Sequence, residues 1–137
     1  MTWLVDTNIL SELRKGERAD AGTRAWFESA ADDEVYTSVL VLGELRRGIE
    51  SLRRRDRSSA LALEQWLERL QDSFAERVLP VSTEIADRWG VINVPDSVPT
   101  VDGLLAATAL VHDMVLVTRN TRDVERTGVR FLDPSVG

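Results

Sequence analysis

The sequence predicts an α/β fold of three layers, α/β/α, built on a mainly parallel sheet of four or five strands. Two observations carry this expectation. Short apolar, β-branched runs (residues 3–5, 78–81 and 114–117) alternate with longer segments whose apolar residues recur at helical spacing. Strands that are apolar throughout are those covered on both faces by crossover helices. In addition, Asp6, Asp102 and Asp123 fall just after a predicted strand or at a predicted helix start. In an open parallel sheet, that is the carboxyl edge, where ligands sit.

The elements follow in order. Residues 3–5, Trp-Leu-Val, read as a buried strand ending at Asp6. Leu10 and Leu13 then suggest a short helix closed by Lys15 and Gly16. Ala25, Trp26 and Ala30 mark a helix over 21–31, and 34–37 alternates around Val35 as a second strand. Ser38 is placed to cap the next helix, whose Val41, Leu42, Leu45, Ile49 and Leu52 share one face. Leu61, Leu63, Trp66, Leu67 and Leu70 repeat the pattern over 58–74, so the two segments can form a hairpin bending at 53–57. Residues 78–81 read as a strand, and Thr83 starts a helix through Ile92. Pro95 and Pro99 mark a loop. Thr100 or Asp102 opens an Ala- and Leu-rich helix that ends near His112. A strand over 114–117, a loop or short helix over 118–128, and a last strand over 129–132 complete the chain. No repeat or Gly/Ser-rich linker divides residues 1–137, so one domain is expected.

Composition narrows the chemistry. There is no cysteine and the one histidine is His112, which excludes disulfides, thiolate zinc sites and His-rich copper or zinc centres. Any metal must be held by oxygen, which favours Mg²⁺ or Mn²⁺. No apolar run approaches the ~20 residues of a membrane span, and the N-terminus lacks the charged and apolar regions of a signal peptide. A soluble cytoplasmic protein is the expectation. The net charge of −6 argues against non-specific nucleic-acid binding unless basic residues are locally concentrated.

Four carboxylates stand apart. Asp6 follows the first strand, Asp102 lies at a helix start, Asp123 follows a late strand, and Glu44 sits within an apolar helix beside Leu45. Each has a structural alternative. Asp6 could open an Asx turn and Asp102 could be an N-cap. Asp123 could bond its own loop, and Glu44 could pair with Arg46 or Arg47. Taken together they favour a cation. A like-charged pair ~4 Å apart costs about 4 kcal/mol at an effective dielectric of 20, and one or two divalent ions would remove that repulsion. Such a site can activate water for phosphodiester cleavage. Thr7, Asn8, Thr118 and Asn120 are placed to orient the carboxylates or water.

These residues carry a resemblance. Residues 4–13 (LVDTNILSEL) resemble the opening motif of PIN-domain toxins, and 43–49 (GELRRGI) look like their second. Residues 102–109 (DGLLAATA) are similar to the third motif, and 118–123 (TRNTRD) with 126–129 (RTGV) to the fourth. Any one motif is weak; four in family order over nearly the whole chain are specific. The resemblance is to VapC-type toxins of VapBC toxin–antitoxin pairs. It implies a PIN-like fold, an acidic quartet of Asp6, Glu44, Asp102 and Asp123 as catalytic residues and metal ligands, and one or two Mg²⁺ or Mn²⁺ ions. It further implies hydrolysis of RNA by metal-activated water, a homodimer, and a VapB-type antitoxin whose C-terminal segment blocks the site. Relatives often carry Phe after the fourth acid, where this chain has Val124.

Two divalent ions would bring the net charge to about −2, still not basic. Arg46 and Arg47 beside Glu44, and Arg119 and Arg122 beside Asn120, are the candidate RNA contacts. The run Arg53-Arg54-Arg55-Asp56-Arg57 reads as a solvated helix end. Trp26, Trp66 and Trp89 read as core residues. The apolar surface of 9–13 and 41–70 suits an antitoxin or dimer contact, and core packing explains most of it equally well. A housekeeping RNA-processing or DNA-cleaving nuclease, or a non-catalytic PIN scaffold, is the alternative within the family. An aspartyl-nucleophile phosphatase or dehalogenase would need a placed Lys or Arg and a second Asp two residues after Asp6, where Asn8 stands; a phospho-receiver module would need a lysine after a late strand, and the one lysine, Lys15, sits in a predicted turn.

Overall fold

A computed structural model describes residues 1–135. The described residues build five strands: β1 (Trp3–Val5), β2 (Val35–Ser38), β3 (Val78–Leu79), β4 (Val115–Val117) and β5 (Phe131–Leu132). Seven α-helices surround them: α1 (Thr7–Leu13), α2 (Ala21–Ser29), α3 (Val39–Arg53), α4 (Arg57–Phe74), α5 (Thr83–Ile92), α6 (Thr100–His112) and α7 (Thr121–Val124). The sheet runs β3-β2-β1-β4-β5 and every pairing is parallel.

The order follows from burial. β1 and β4 are the most apolar strands and take the centre, with Leu4, Val5, Leu116 and Val117 essentially inaccessible. They pair in register, Val5 opposite Val117. Helices cover both faces, Ile9, Val41, Leu67 and Leu105 supplying fully buried side chains. The expected three-layer α/β/α architecture with a parallel sheet is the one observed.

Differences lie at the ends of elements. The strand expected over 78–81 stops at Leu79, because Pro80 has no N–H to continue the ladder. The last strand begins at Phe131, after Gly128 turns the chain at φ +84°. Ser38 caps α3 as expected, accepting from the Leu40 N–H at 3.1 Å. The helical hairpin forms, with α4 capped by Asp56 at the Ser59 N–H. Trp26 is buried, whereas Trp66 and Trp89 are half-buried. Among the described residues no helix is long and apolar enough to cross a membrane.

The site is positioned by one consequence of this topology. Strand order reverses between β1 and β4, the switch point of an open parallel sheet. The two crossovers leave there in opposite directions and open a crevice at the carboxyl edge. Asp6 follows β1 and Thr118 follows β4, so both stand on that crevice.

A carboxylate cavity at the sheet switch point

Asp6 is the central residue. It is 3 % exposed, and its N–H is held by the Val117 carbonyl at 3.0 Å, so β4 fixes its position. Its side chain caps α1 by accepting from the Thr7 N–H at 2.6 Å. The other carboxylate oxygen accepts from the Thr118 hydroxyl at 2.7 Å and, more weakly, from the Asn8 amide at 3.4 Å. The capping alternative for Asp6 is therefore real, and it uses only part of the carboxylate.

Glu44 is half-buried on α3, and its partner is the Thr7 hydroxyl, which donates to Oε1 at 2.5 Å, rather than an arginine. Asp102 is not the N-cap of α6. Thr100 opens that helix after Pro99, Asp102 lies within its first turn, and no side chain caps it. Its Oδ1 accepts instead from the Asn120 amide at 3.3 Å. The Asn120 N–H in turn donates to the Thr118 hydroxyl at 3.0 Å. Asp123 is exposed on α7, beside the Asp102 carboxyl. Asp6, Thr7, Asn8, Glu44, Asp102 and Asn120 line a cavity of about 590 Å³, joined there by Arg47.

The electrostatics are unrelieved. Burial pushes the Asp6 carboxyl above its ordinary value; hydrogen bonds from Thr118 and Thr7 pull it back, and the charge of Glu44 pushes it up again. Asp102 is pushed up to about 6, chiefly by burial and also by Asp6 and Asp123, against the hydrogen bond from Asn120. A line of like charges thus runs from Glu44 through Asp6 and Asp102 to Asp123. Among the described residues, none of the four has an ion pair with Lys or Arg.

That donor set fits a hard divalent cation, because it offers oxygen ligands and excess negative charge that no Lys or Arg ion pair neutralises among the described residues. Among the described residues no three acidic groups are drawn closely enough to hold a bare ion unaided. The fit is to a hydrated ion, as expected of Mg²⁺, which keeps several waters.

The basic residues divide. Arg47 faces the cavity. Arg46 is turned to Glu50 and Glu64. Arg119 pairs with Glu12 at 3.1 Å, and Arg122 is exposed on α7. Sequence reasoning overlooked Glu12. It is buried, yet accepts from Lys15, from the Asp20 N–H at 2.9 Å and from Arg119. The Asp20 N–H, then Lys15, hold its carboxyl below the usual range. The signal was an acid at helical spacing among Ile9, Leu10 and Leu13. Its role is to tie the segment after β4, which carries Asn120, to α1.

The family model of the PIN domain matches residues 3–129. The chain belongs to the PIN domain family. Relatives within it include the VapC ribonuclease Y4jK of Sinorhizobium fredii, 31% identical with 96% of each chain covered. Toxin FitB of Neisseria gonorrhoeae is 29% identical over the same 96% of each. Among solved structures, FitAcB from Neisseria gonorrhoeae superimposes with a TM-score of 0.90 at 27% identity, covering 99% of this chain and 100% of the other. FitAB bound to an IR36 DNA fragment gives 0.86 at 27% identity, over 98% and 96%. The PIN fold thus accounts for the whole sheet and the helices around it.

Proposed function

We propose that this protein is a Mg²⁺- or Mn²⁺-dependent endoribonuclease, the toxin of a type II toxin–antitoxin pair. The observation that carries the reading is the grouping of Glu44, Asp6 and Asp102 around one cavity, with Asp123 beside Asp102 and none of the four in an ion pair among the described residues. The names of the relatives, a VapC ribonuclease and a FitB toxin, support the same class.

Asp6, Glu44 and Asp102 would hold one or two ions directly or through water, with Asp123 completing the set. When bound, a divalent cation supplies a nucleophile at neutral pH and neutralises charge on the leaving oxygen. The chain's own residues prepare for this. Thr118 and the Thr7 N–H fix the Asp6 carboxylate from two sides. The Thr7 hydroxyl aims Glu44, and Asn120 aims Asp102. Arg47 is the cavity's own guanidinium and orients the RNA phosphate.

The antitoxin surface lies next door. A groove of about 290 Å³ runs between α1, α3 and α4, lined by Ser11, Arg14, Gly48, Leu63 and Trp66 together with Thr7 and Glu44. A VapB-type segment seated there would reach the carboxylates at one end and bury its apolar side chains on Leu63 and Trp66. Arg14 at the rim suits an acidic group on that segment. A homodimer in the cytoplasm completes the reading.

The decisive experiment is incubation of a labelled total-RNA pool with purified protein, first with Mg²⁺ or Mn²⁺ and then with EDTA. Discrete fragments that disappear with EDTA are expected. Intact RNA with every cation, from folded protein free of antitoxin, would overturn the assignment.

A further inference from the structure

The bend between α3 and α4 carries four arginines in five residues, at 53, 54, 55 and 57. The structure sorts them by what they already hold. Arg53 and Arg46 are engaged by Glu50 and Glu64, at 3.0 Å for Arg53 Nε to Glu50 and 3.2 Å for Arg46 to Glu50. Two cations and two anions leave that group neutral. Asp56 is engaged at the start of α4, by the Ser59 N–H and the Ser58 and Ser59 hydroxyls. Arg55 stands near enough to Asp56 to lower its pKa. Arg54 and Arg57 are exposed and, among the described residues, enter no ion pair. They line a cavity of about 320 Å³ with Glu50 and Arg53.

Arg54 stands seven residues beyond Arg47. Seven residues are close to two helical turns, so the two share a face about 10 Å apart along the axis. Arg47 lines the carboxylate cavity. One face of α3 therefore carries Arg47 at the cavity and Arg54 at the bend, with Glu50 between them neutralised by Arg46 and Arg53, in a chain of net charge −6. The exposed residues of that stripe are Gly43, Arg47, Glu50, Ser51 and Arg54. None is an apolar anchor of the kind a protein partner needs at the centre of an interface. Guanidinium groups at fixed spacing suit phosphates instead. The bend is held in place, since the Arg55 and Asp56 N–H groups both donate to the Leu52 carbonyl, at 3.0 and 2.9 Å.

We propose that Arg47, Arg54 and Arg57 form a phosphate track that holds a single-stranded RNA segment leading away from the carboxylate cavity. The track rests on the ribonuclease reading above. It contacts backbone rather than bases, so it contributes affinity and register without sequence preference.

The test is binding of 5′-labelled, mixed-sequence single-stranded RNA, one of about 20 nucleotides and one of about 4, by fluorescence anisotropy across a salt series. The proteins are the wild type, an Arg54→Gln/Arg57→Gln double variant, and Arg130→Gln. Arg130 pairs with Asp113 at the opposite end of the sheet and controls for a change of net charge. The double variant is expected to bind the long RNA at least several-fold more weakly. Its slope of log affinity against log salt should flatten by about 1.4, two phosphates at about 0.7 each. The short RNA should bind as to wild type, and Arg130→Gln should match wild type on both. An unchanged slope and affinity for the long RNA, in double variant that melts like wild type, would overturn the track and leave the nuclease reading standing. Failure of the wild type to bind either RNA would overturn both.

Discussion

The Thr118 hydroxyl donates to the Asp6 carboxylate at 2.7 Å, joining residues 112 positions apart in the chain. The same oxygen accepts the Asn120 N–H at 3.0 Å, and Asn120 reaches Asp102. One buried hydroxyl thus links the two central carboxylates of the cavity. Thr118→Val keeps the side-chain shape and removes that link. Cleavage is expected to fall by about 10- to 100-fold, the usual cost of losing a partner of a metal ligand, with a weaker apparent Mg²⁺ affinity. Thr118→Ser should retain most activity. A Mg²⁺ titration of cleavage rate for the three proteins checks this, and an unchanged midpoint in Thr118→Val would refute it.

Asp6→Asn preserves an oxygen to accept from the Thr7 N–H but removes the charge. Cleavage should drop by more than ~100-fold, beyond the effect at Thr118, while the fold persists. Assays of RNA cleavage beside a thermal melt distinguish chemistry from unfolding. Full activity in this variant would discard the assignment of the site.

The raised Asp102 value sets a pH dependence in metal-free protein. The folded state holds its proton up to about 6, whereas the ordinary value is 3.8. Between those values the folded chain binds more protons than the unfolded chain, so stability falls as pH rises through the window. Asp6 acts in the same direction. Glu12, Asp20, Glu50, Asp56 and Glu64 are shifted down and act oppositely, but only below their ordinary values. Metal-free protein should therefore melt higher near pH 5 than near pH 7.5. Asp102→Asn should flatten the difference, and saturating Mg²⁺ should reverse it. Melting curves with EDTA at the two pH values decide the matter.

Gly48 lies on α3 at the groove, and a Cβ added there meets nothing within 4 Å. Gly48→Ala should stabilise the protein by about 0.5–1 kcal/mol, the usual gain in a helix interior. Gly48→Leu should fill the groove and weaken inhibition by the cognate antitoxin at least ten-fold, with cleavage by free protein little changed. Inhibition curves for wild type and the Leu variant measure it; equal inhibition would remove the groove as the docking site.

The fold was legible in sequence because its strands are uniformly apolar and its helices strongly periodic. Residues 115–117 and the stripe Val41, Leu45, Ile49 could be read as elements without any coordinate. The short edge strands were less legible, since two-residue ladders at Val78–Leu79 and Phe131–Leu132 leave little pattern. Asp6, Glu44 and Asp102 were legible as acids in unusual settings. What held them was harder to see: side chains of one turn pair with groups far along the chain, as Thr7 does with Glu44 and Arg119 with Glu12. Arg46 and Arg47 are indistinguishable as neighbours in sequence. A rotation of about 100° per residue sends one to Glu64 and the other to the cavity.

The central strand pair has a temporal consequence. β1 is made first and β4 near the end, so the cavity's floor cannot close until residues beyond 117 have been synthesised. Chain growth of about 5–20 residues per second puts several seconds between Asp6 and Thr118. A nascent chain already carrying Asp6 and Glu44 still lacks the strand that seats Asp6. Under the proposed ribonuclease function, the nascent chain would leave RNA uncut for most of its own synthesis, and an antitoxin made alongside it would have that interval in which to be ready.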